Sequence, residues 1–229
     1  YEMSASLVGS EMCIRDSRGI SDEKEGLPCM NRIGVLGGTF DPVHYAHIAL
    51  GEAAIKEAGL RKLIVMPARV QPFKQDKKTA EDIHRKAMTR LAFIGNDKVE
   101  VSDYEMEDPS LSYTIKTLTY LRHQYPGDEI YFISGTDSFL EIDRWYRGGE
   151  ILENFSFAVS VRPGYREEEL REKILEYGRK YGCPVIRINA QMPAISSTMV
   201  RQRIRAGDSV EDLVPPQVER YITANGLYK

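Results

Sequence analysis

Short apolar segments alternate with amphipathic segments along the chain from residue 32 onwards. The apolar segments are rich in valine, isoleucine and phenylalanine and are bounded by turn residues, which is typical of buried strands. They are RIGVLG (32–37), KLIVMP (62–67), KVEVS (98–102), EIYFIS (129–134), FSFAVSV (155–161) and PVIRIN (184–189). Helical patterns lie between them at 44–58, 80–95, 112–124 and 166–181.

Residues at the ends of these segments support the helices. The first helix stops at Gly59, and the second is predicted to start with a capping box formed by Thr79 and Asp82 and to end near Gly95. The charged side of the segment 166–181 is interpreted as a solvated face.

Repeated alternation of strand and helix indicates parallel strands joined by right-handed crossovers. We therefore predict an α/β fold with a Rossmann-like, doubly wound, mostly parallel sheet and helices on both faces. Ligands of such sheets bind at the carboxyl ends of the strands, near the point where the strand order reverses. No linker or internal repeat divides residues 30–229, which are predicted to form a single domain.

Residues 1–29 differ from the rest of the chain. They show no helical or alternating apolar period, and they lack the basic start, apolar middle and cleavage site of a secretory signal. The stretch GSEMCIRDS resembles a translated sequencing-adapter read. We expect a disordered or artefactual extension here, with Met30 as the true start.

Charge and cysteine content narrow the class of protein. The formal net charge of −3 arises in residues 1–29, and residues 30–229 carry equal numbers of acidic and basic side chains. This balance argues against a general nucleic-acid binder. No apolar run approaches the roughly 18 residues that span a membrane. The three cysteines lie far apart without a C-x-x-C pair, which indicates a reducing, cytoplasmic compartment rather than disulfides or structural zinc. A homo-oligomer stays open.

The segment GGTFDPVHYAHIAL (37–50) joins the first strand to the first helix. Gly37 and Gly38 permit a tight turn and a close approach of backbone N–H groups to a ligand. The start of the helix favours an anion there, although the segment matches neither a P-loop nor a dinucleotide fingerprint. His44 and His47 share one face of the first turn, where each can donate an N–H to a phosphate. A metal pair is the alternative, but no further ligand cluster completes it, so no metal-ligating residue is predicted.

A second candidate anion site lies in ISSTMVRQRIRAG (195–207). Ser196 or Ser197 is predicted to cap a helix that ends at Gly207. Arg201 follows Ser197 by four residues, so hydroxyl, helix start and guanidinium converge on one face. That combination suits a terminal phosphate.

Taken together, the motifs resemble a known family. GGTFDPVHYAH and ISSTMVRQRI are similar to the HxGH nucleotidylyltransferase superfamily. The further segments SYTIKTL (112–118), ISGTDSFLEIDRWY (133–146), VRPGY (161–165) and VERYITANGLYK resemble bacterial nicotinate-nucleotide adenylyltransferases. The resemblance covers essentially all of residues 31–229. It implies transfer of AMP from ATP to nicotinic acid mononucleotide, giving deamido-NAD and pyrophosphate, with Mg²⁺.

The same resemblance implies roles for individual residues. The catalytic groups on the ATP phosphates would be His44, His47 and Arg201. The other ATP- and phosphate-binding residues would be Gly37, Gly38, Thr39, Phe40, Lys74, Asp137, Ser197 and Thr198, with Asp137 near the adenosine ribose. The nicotinate nucleotide would be bound by Thr114, Trp145, Tyr146 and Arg162. Core packing is the alternative for Trp145.

The chemistry implied needs no general base, because the attacking phosphate oxygen is already anionic. Catalysis would depend on in-line alignment and on stabilising the charge of the leaving pyrophosphate. Magnesium would neutralise the triphosphate with few protein ligands of its own. The serines at 196 and 197 have no base beside them in sequence and are interpreted as caps and phosphate donors.

Two positions depart from the family pattern, and two alternatives stay open. Ala46 stands where the family usually has glycine, and Phe73 where it often has histidine. The alternative enzymes are phosphopantetheine adenylyltransferase and a cytidylyltransferase, against which SYTIKTL and GTDSFLEIDRWY argue. The alternative outside enzymes is a nucleotide-binding sensor without turnover.

Overall fold

All six predicted strands are present and form one sheet. The computed structural model describes residues 31–69, 79–108, 111–161, 167–189 and 191–229. The strands are β1 (Arg32–Gly38), β2 (Lys62–Pro67), β3 (Val99–Val101), β4 (Glu129–Gly135), β5 (Ser156–Ser160) and β6 (Val185–Ile188). Their order is β3-β2-β1-β4-β5-β6, and every neighbouring pair is parallel. The predicted doubly wound, Rossmann-like α/β fold is confirmed.

Helices cover both faces of this sheet. They are α1 (Tyr45–Glu57), α2 (Asp82–Ala92), α3 (Tyr104–Glu107), α4 (Thr114–Gln124), α5 (Thr136–Leu140), α6 (Gly148–Asn154), α7 (Glu167–Tyr181), α8 (Ser197–Ala206) and α9 (Pro216–Ala224). Residues of α1, α2, α8 and α9 share one hydrophobic core with the sheet, and residues of α4 to α7 share the other. In the part of the chain that the structure describes, no helix combines the length and the apolar character needed to cross a membrane.

The two cores explain the continuous apolar runs in the sequence. Successive side chains of a strand point to opposite faces. In β1, Ile33 and Val35 therefore join the core beneath α4 to α7, whereas Leu36 joins the core beneath α1, α2, α8 and α9. A strand that is buried on both faces has no polar side to alternate with, as expected for a parallel sheet.

The second helix departs from its prediction at the N-terminus. α2 begins at Asp82, and its N-cap residue is Glu81, whose side chain forms no capping hydrogen bond. The predicted capping box of Thr79 and Asp82 is therefore wrong. The Asp82 carboxylate instead pairs with the guanidinium of Arg85, three residues later in the same helix.

The strand order reverses between β1 and β4, and this is where the candidate residues meet. β1 is hydrogen-bonded to β2 on one side and to β4 on the other. Their carboxyl ends, at Gly38 and Gly135, face the same edge of the sheet. The predicted extension at residues 1–29, and Met30 itself, lie outside the described residues.

Candidate active site

A cleft opens at the carboxyl ends of β1 and β4, as predicted for a sheet of this class. Its volume is about 730 Å³, and its walls come from the turn after β1, the start of α4, α5 and the residues before α6. A second cavity of about 360 Å³ adjoins it beside the starts of α1 and α8. Thr39, His47, Gly135 and Ser197 line both. The two cavities therefore form one continuous site.

The turn after β1 is built differently from the glycine turn that was predicted. Gly37 and Gly38 belong to β1 itself. The left-handed residue is Phe40, with φ of 47° and a side chain that is buried. Glycine is still required at position 38, because a Cβ there would lie 3.0 Å from Cζ of Phe40. The small residue thus makes room for the aromatic ring rather than for the turn.

His44 and His47 meet at the start of α1 in unequal roles. His44 is the N-cap residue and has an extended backbone, whereas His47 lies in the first turn. Their rings stack with centroids 3.7 Å apart, and the edge of Phe40 packs against His47 at 4.9 Å. The backbone N–H of His44 donates to Nδ1 of His47 at 3.3 Å. Because Nδ1 accepts, the neutral ring of His47 carries its proton on Nε2.

Burial makes His44 a neutral donor. Its side chain lines the smaller cavity and is only 5% exposed. Burial lowers the pKa of His44 from 6.5 to about 4, so the imidazole is uncharged at neutral pH. The Nδ1 atom is buried without a hydrogen-bond partner among the described residues. A ligand in the cavity is the remaining source of one.

Asp41 connects the turn after β1 to α8. The Arg201 guanidinium donates to the backbone carbonyl of Asp41 at 2.6 Å and lies 3.7 Å from its carboxylate. Ser197 donates its hydroxyl to the Pro42 carbonyl at 2.9 Å. Thr198 Oγ1 accepts from Arg201 at 3.2 Å. These bonds give Ser197 and Arg201 a structural role that the sequence did not reveal, since they hold the two candidate phosphate segments together.

The N-terminus of α8 is capped as the sequence predicts. Ser196 is the N-cap residue, and its hydroxyl accepts from the backbone N–H of Met199 at 3.2 Å. Gly207 ends the helix in the left-handed conformation, with φ of 78°. Ser197, Thr198 and Arg201 all line the smaller cavity together with both histidines. The structure therefore brings the two predicted anion sites together.

Tyr228 supports Asp41 from the C-terminal segment. Its hydroxyl donates to Oδ1 of Asp41 at 2.7 Å, and the same oxygen accepts the backbone N–H of Ala80 at 3.1 Å. Burial, followed by the bond to Asp41, raises the pKa of Tyr228 above its usual value. The hydroxyl therefore stays protonated and keeps donating. Sequence reasoning assigned no role to Tyr228 or Asp41.

We expect Tyr228→Phe to lower the free energy of unfolding by about 1.5–3 kcal/mol, because a buried carboxylate loses a hydrogen-bond donor. The matched control is Tyr221→Phe, which removes a neutral bond to Nδ1 of His84 and should cost about 0.5–1.5 kcal/mol. Urea denaturation of both full-length variants measures the difference. Equal losses would contradict a special role for the Asp41 contact.

Arg85 is a fully buried arginine that holds the same turn from the other side. Its guanidinium donates to the Thr39 carbonyl at 2.7 Å and to the Ala68 carbonyl at 2.6 Å. It also donates to the carbonyls of Arg69 and Ala80, each at 3.2 Å. One side chain of α2 therefore fixes the turn after β1 and the residue that follows β2. The sequence gave no local sign that this arginine is buried.

The far end of the larger cleft is aromatic. Trp145 lines it and packs edge-to-face on Phe132, with centroids 6.0 Å apart. The ring of Tyr146 lies 4.5 Å from that of Tyr113. Thr114, the first residue of α4, lines the same end of the cleft. The structure thus brings together three of the residues predicted to bind the nicotinate nucleotide.

The remaining candidates lie at varied positions. Asp137 is exposed in the first turn of α5 and lines the larger cleft. Ala46 lines the smaller cavity with His44 and His47, so its methyl group borders the same space as both imidazoles. The predicted residues Lys74 and Arg162, and the departure at Phe73, lie outside the described residues. Within the described ranges, no group of three or more His, Cys, Asp or Glu residues could hold a metal ion.

Comparison with known proteins agrees with this geometry. The sequence profile of the cytidylyltransferase-like family matches residues 35–203. A probable nicotinate-nucleotide adenylyltransferase of Thermoanaerobacter sp. (strain X514) is 38% identical over 86% of this chain and 94% of that protein. The nicotinate-nucleotide adenylyltransferase of Bacillus subtilis (strain 168) is 33% identical over 87% of this chain and 100% of that protein.

A solved structure shares the fold at lower sequence identity. The nicotinic acid mononucleotide adenylyltransferase of Plasmodium falciparum, complexed with NaAD, superimposes with a TM-score of 0.71. It is 22% identical and covers 86% of this chain and 97% of that one. From the profile match and the two bacterial relatives, the chain belongs to the nicotinate-nucleotide adenylyltransferase family of cytidylyltransferase-like nucleotidyltransferases.

Proposed function

We infer that this protein transfers AMP from ATP to nicotinic acid mononucleotide, giving deamido-NAD and pyrophosphate, a step of NAD biosynthesis. The observation that carries the proposal is the continuity of two chemically different cavities. The smaller is lined by His44, His47 and Arg201, which are donors suited to phosphates. The larger ends in the aromatic side chains of Trp145 and Tyr146, which suit a pyridine ring.

The reaction joins the two substrates at the α-phosphorus of ATP. A phosphate oxygen of the mononucleotide forms the new P–O bond, and the bond to the β-phosphate oxygen breaks to release pyrophosphate. The attacking oxygen is already anionic at neutral pH, so no side chain needs to remove a proton. The protein's contribution is alignment of the two phosphates and stabilisation of the leaving group's charge.

Donors at the smaller cavity supply that stabilisation. His47, with its proton on Nε2, and His44, neutral at its depressed pKa, would each donate an N–H to a phosphate oxygen. Arg201 would add a fixed positive charge from the start of α8. Thr39 Oγ1, which is buried without a partner among the described residues, is a further donor. Ser197 and Thr198 would serve chiefly through the backbone they hold.

Magnesium enters as part of the substrate, MgATP. Asp41 is the buried carboxylate at the phosphate cavity, and its Oδ1 already accepts from Tyr228 and from the backbone of Ala80. This donor set favours a metal ion held by the triphosphate and water rather than by a cage of side chains. The scattered cysteines favour the reducing cytoplasm as the place of the reaction.

We expect the enzyme to prefer the acid to the amide form of the mononucleotide. Thr114 at the start of α4 would provide donors for the nicotinate carboxylate. The preference in kcat/KM should be at least about tenfold, which equals roughly 1.4 kcal/mol. Pyrophosphate release tests it, with ATP or CTP as donor and nicotinic acid mononucleotide, nicotinamide mononucleotide or phosphopantetheine as acceptor.

Each alternative has its own outcome in this panel. Release only with phosphopantetheine or only with CTP would assign another nucleotidylyltransferase reaction. ATP binding without release for any acceptor would identify a sensor without turnover. Comparable kcat/KM values on the acid and the amide would refute the acid preference while leaving adenylyl transfer intact.

A further inference from the structure

A buried carboxylate stands in the wall of the acceptor end of the cleft. Glu105 lies in α3, is 9% exposed and lines the same cleft as Trp145 and Tyr146. The hydroxyl of Thr117 donates to its Oε1 at 2.5 Å, and Ser112 hydrogen-bonds to the carboxylate as well. Both hydroxyl residues also line the cleft. The carboxyl group is therefore fixed in orientation at the site.

Glu105 has hydrogen bonds but no cationic partner. Within the described ranges, none of the ion pairs of the structure includes Glu105. Burying a carboxylate without an opposite charge is costly. Burial raises the pKa of Glu105, although the bonds from Thr117 and Ser112 act in the opposite direction. A cation that enters the cleft would relieve this cost.

The neighbouring walls suit a flat cation. Tyr113 and Tyr146 face each other with centroids 4.5 Å apart, and Trp145 is held edge-to-face by Phe132 at 6.0 Å. Aromatic faces are electron-rich and attract cations. A carboxylate beside aromatic side chains therefore forms an environment in which a positively charged ring binds better than a neutral ring of the same shape.

The acceptor of the proposed reaction carries such a charge. The ring nitrogen of a pyridine mononucleotide is bonded to ribose and is permanently cationic, whereas the adenine of ATP is neutral. Resting on the proposed function, we propose that Glu105 recognises the positive charge of the pyridinium ring. It thereby acts as a specificity-determining residue that selects the cationic ring over a neutral isostere.

A purely structural role for Glu105 predicts a different result. If the carboxylate only positioned Ser112 and Thr117 at the start of α4, its loss would weaken every acceptor alike. Glu105→Gln keeps the shape and one accepting oxygen but removes the charge. The matched control is Glu107→Gln in the same helix, where the side chain is exposed.

Binding to the full-length protein separates the two roles. The probes are nicotinic acid mononucleotide and the C-nucleoside analogue in which benzoate replaces the pyridinium ring, so that only the ring charge differs. Isothermal calorimetry gives Kd for each probe, whether or not the analogue is turned over. We expect Glu105→Gln to raise Kd for the pyridinium probe about tenfold, or ~1.4 kcal/mol. Kd for the benzoate probe should change less than about twofold (~0.4 kcal/mol), and Glu107→Gln should change neither.

The wild-type protein alone also tests the proposal, which guards against a variant that fails to fold. It should bind the pyridinium probe at least about tenfold more tightly than the benzoate probe. Equal affinities in the wild type, or equal weakening of both probes by Glu105→Gln, would overturn the role of Glu105. Failure of the proposed function looks different, because the wild type would then release no pyrophosphate with nicotinic acid mononucleotide.

Discussion

Replacing His47 with alanine is expected to lower kcat/KM for pyrophosphate release by about two to three orders of magnitude. The side chain lines both cavities, and its Nδ1 is occupied by the backbone N–H of His44. The proton of the neutral ring is therefore on Nε2, and its N–H can stabilise the charge that develops on the leaving pyrophosphate. Steady-state kinetics with ATP and nicotinic acid mononucleotide measures the loss.

The fold should survive this change. His47 is half-buried, and its removal costs one bond from the His44 backbone, which is worth about 1 kcal/mol. His123→Ala, at an exposed histidine in the last turn of α4, is the control and should leave kcat/KM unchanged. His47→Gln restores an N–H donor of similar reach and should recover part of the rate. A loss below about threefold in His47→Ala would exclude His47 from the catalytic groups.

Replacing Arg85 with methionine is expected to lower the free energy of unfolding by about 3–5 kcal/mol. The guanidinium is fully buried and donates to the carbonyls of Thr39, Ala68, Arg69 and Ala80. Methionine fills much of the volume but leaves these acceptors without their donor. Urea denaturation followed by circular dichroism measures the loss, and kcat should fall as well because Thr39 lines both cavities.

The same helix offers a matched control for Arg85. Arg90→Met removes an exposed guanidinium that pairs with Asp103, and such surface pairs contribute about 0–1 kcal/mol. Arg85→Lys keeps the charge but has one ammonium in place of a planar fork, so it should be intermediate. If Arg85→Met and Arg90→Met destabilise equally, the buried network contributes nothing beyond a surface ion pair.

The strands could be predicted from sequence because each is buried on both faces. FSFAVSV and EIYFIS leave no polar periodicity to misread, and the observed β5 and β4 fall on them within a residue or two. The longer helices were also found, since α1, α4 and α7 have several turns of pattern. Errors were confined to their ends, as in α2, where Asp82 pairs with arginine rather than forming a capping box.

The shorter helices could not be predicted in the same way. α3 and α5 contain only four and five residues, which is too short to display a period of 3.6. They are nevertheless important for the site, because α3 carries Glu105 and α5 carries Asp137. α9, with nine residues, had a usable signal in the proline at its start and in the spacing of Val218 and Ile222.

The residues that hold the site together had no local signal at all. His44, His47 and Arg201 stand in short motifs whose composition points to phosphate. Arg85 and Tyr228 instead depend on partners distant in the sequence, and an arginine or tyrosine on a helical pattern is ordinarily interpreted as exposed. Only the three-dimensional structure shows that their polar atoms are buried and bonded.

The bonds at Asp41 and Pro42 also determine when the site can form as the chain is synthesised. Ser197 bonds to Pro42 across 155 residues, Arg201 to Asp41 across 160, and Tyr228 to Asp41 across 187. His44 and His47 therefore emerge from the ribosome long before the residues that fix their turn. Contacts of such long range form late in folding. A nascent chain that already contains both histidines thus has no completed phosphate site, and nucleotide binding begins only when synthesis is almost finished.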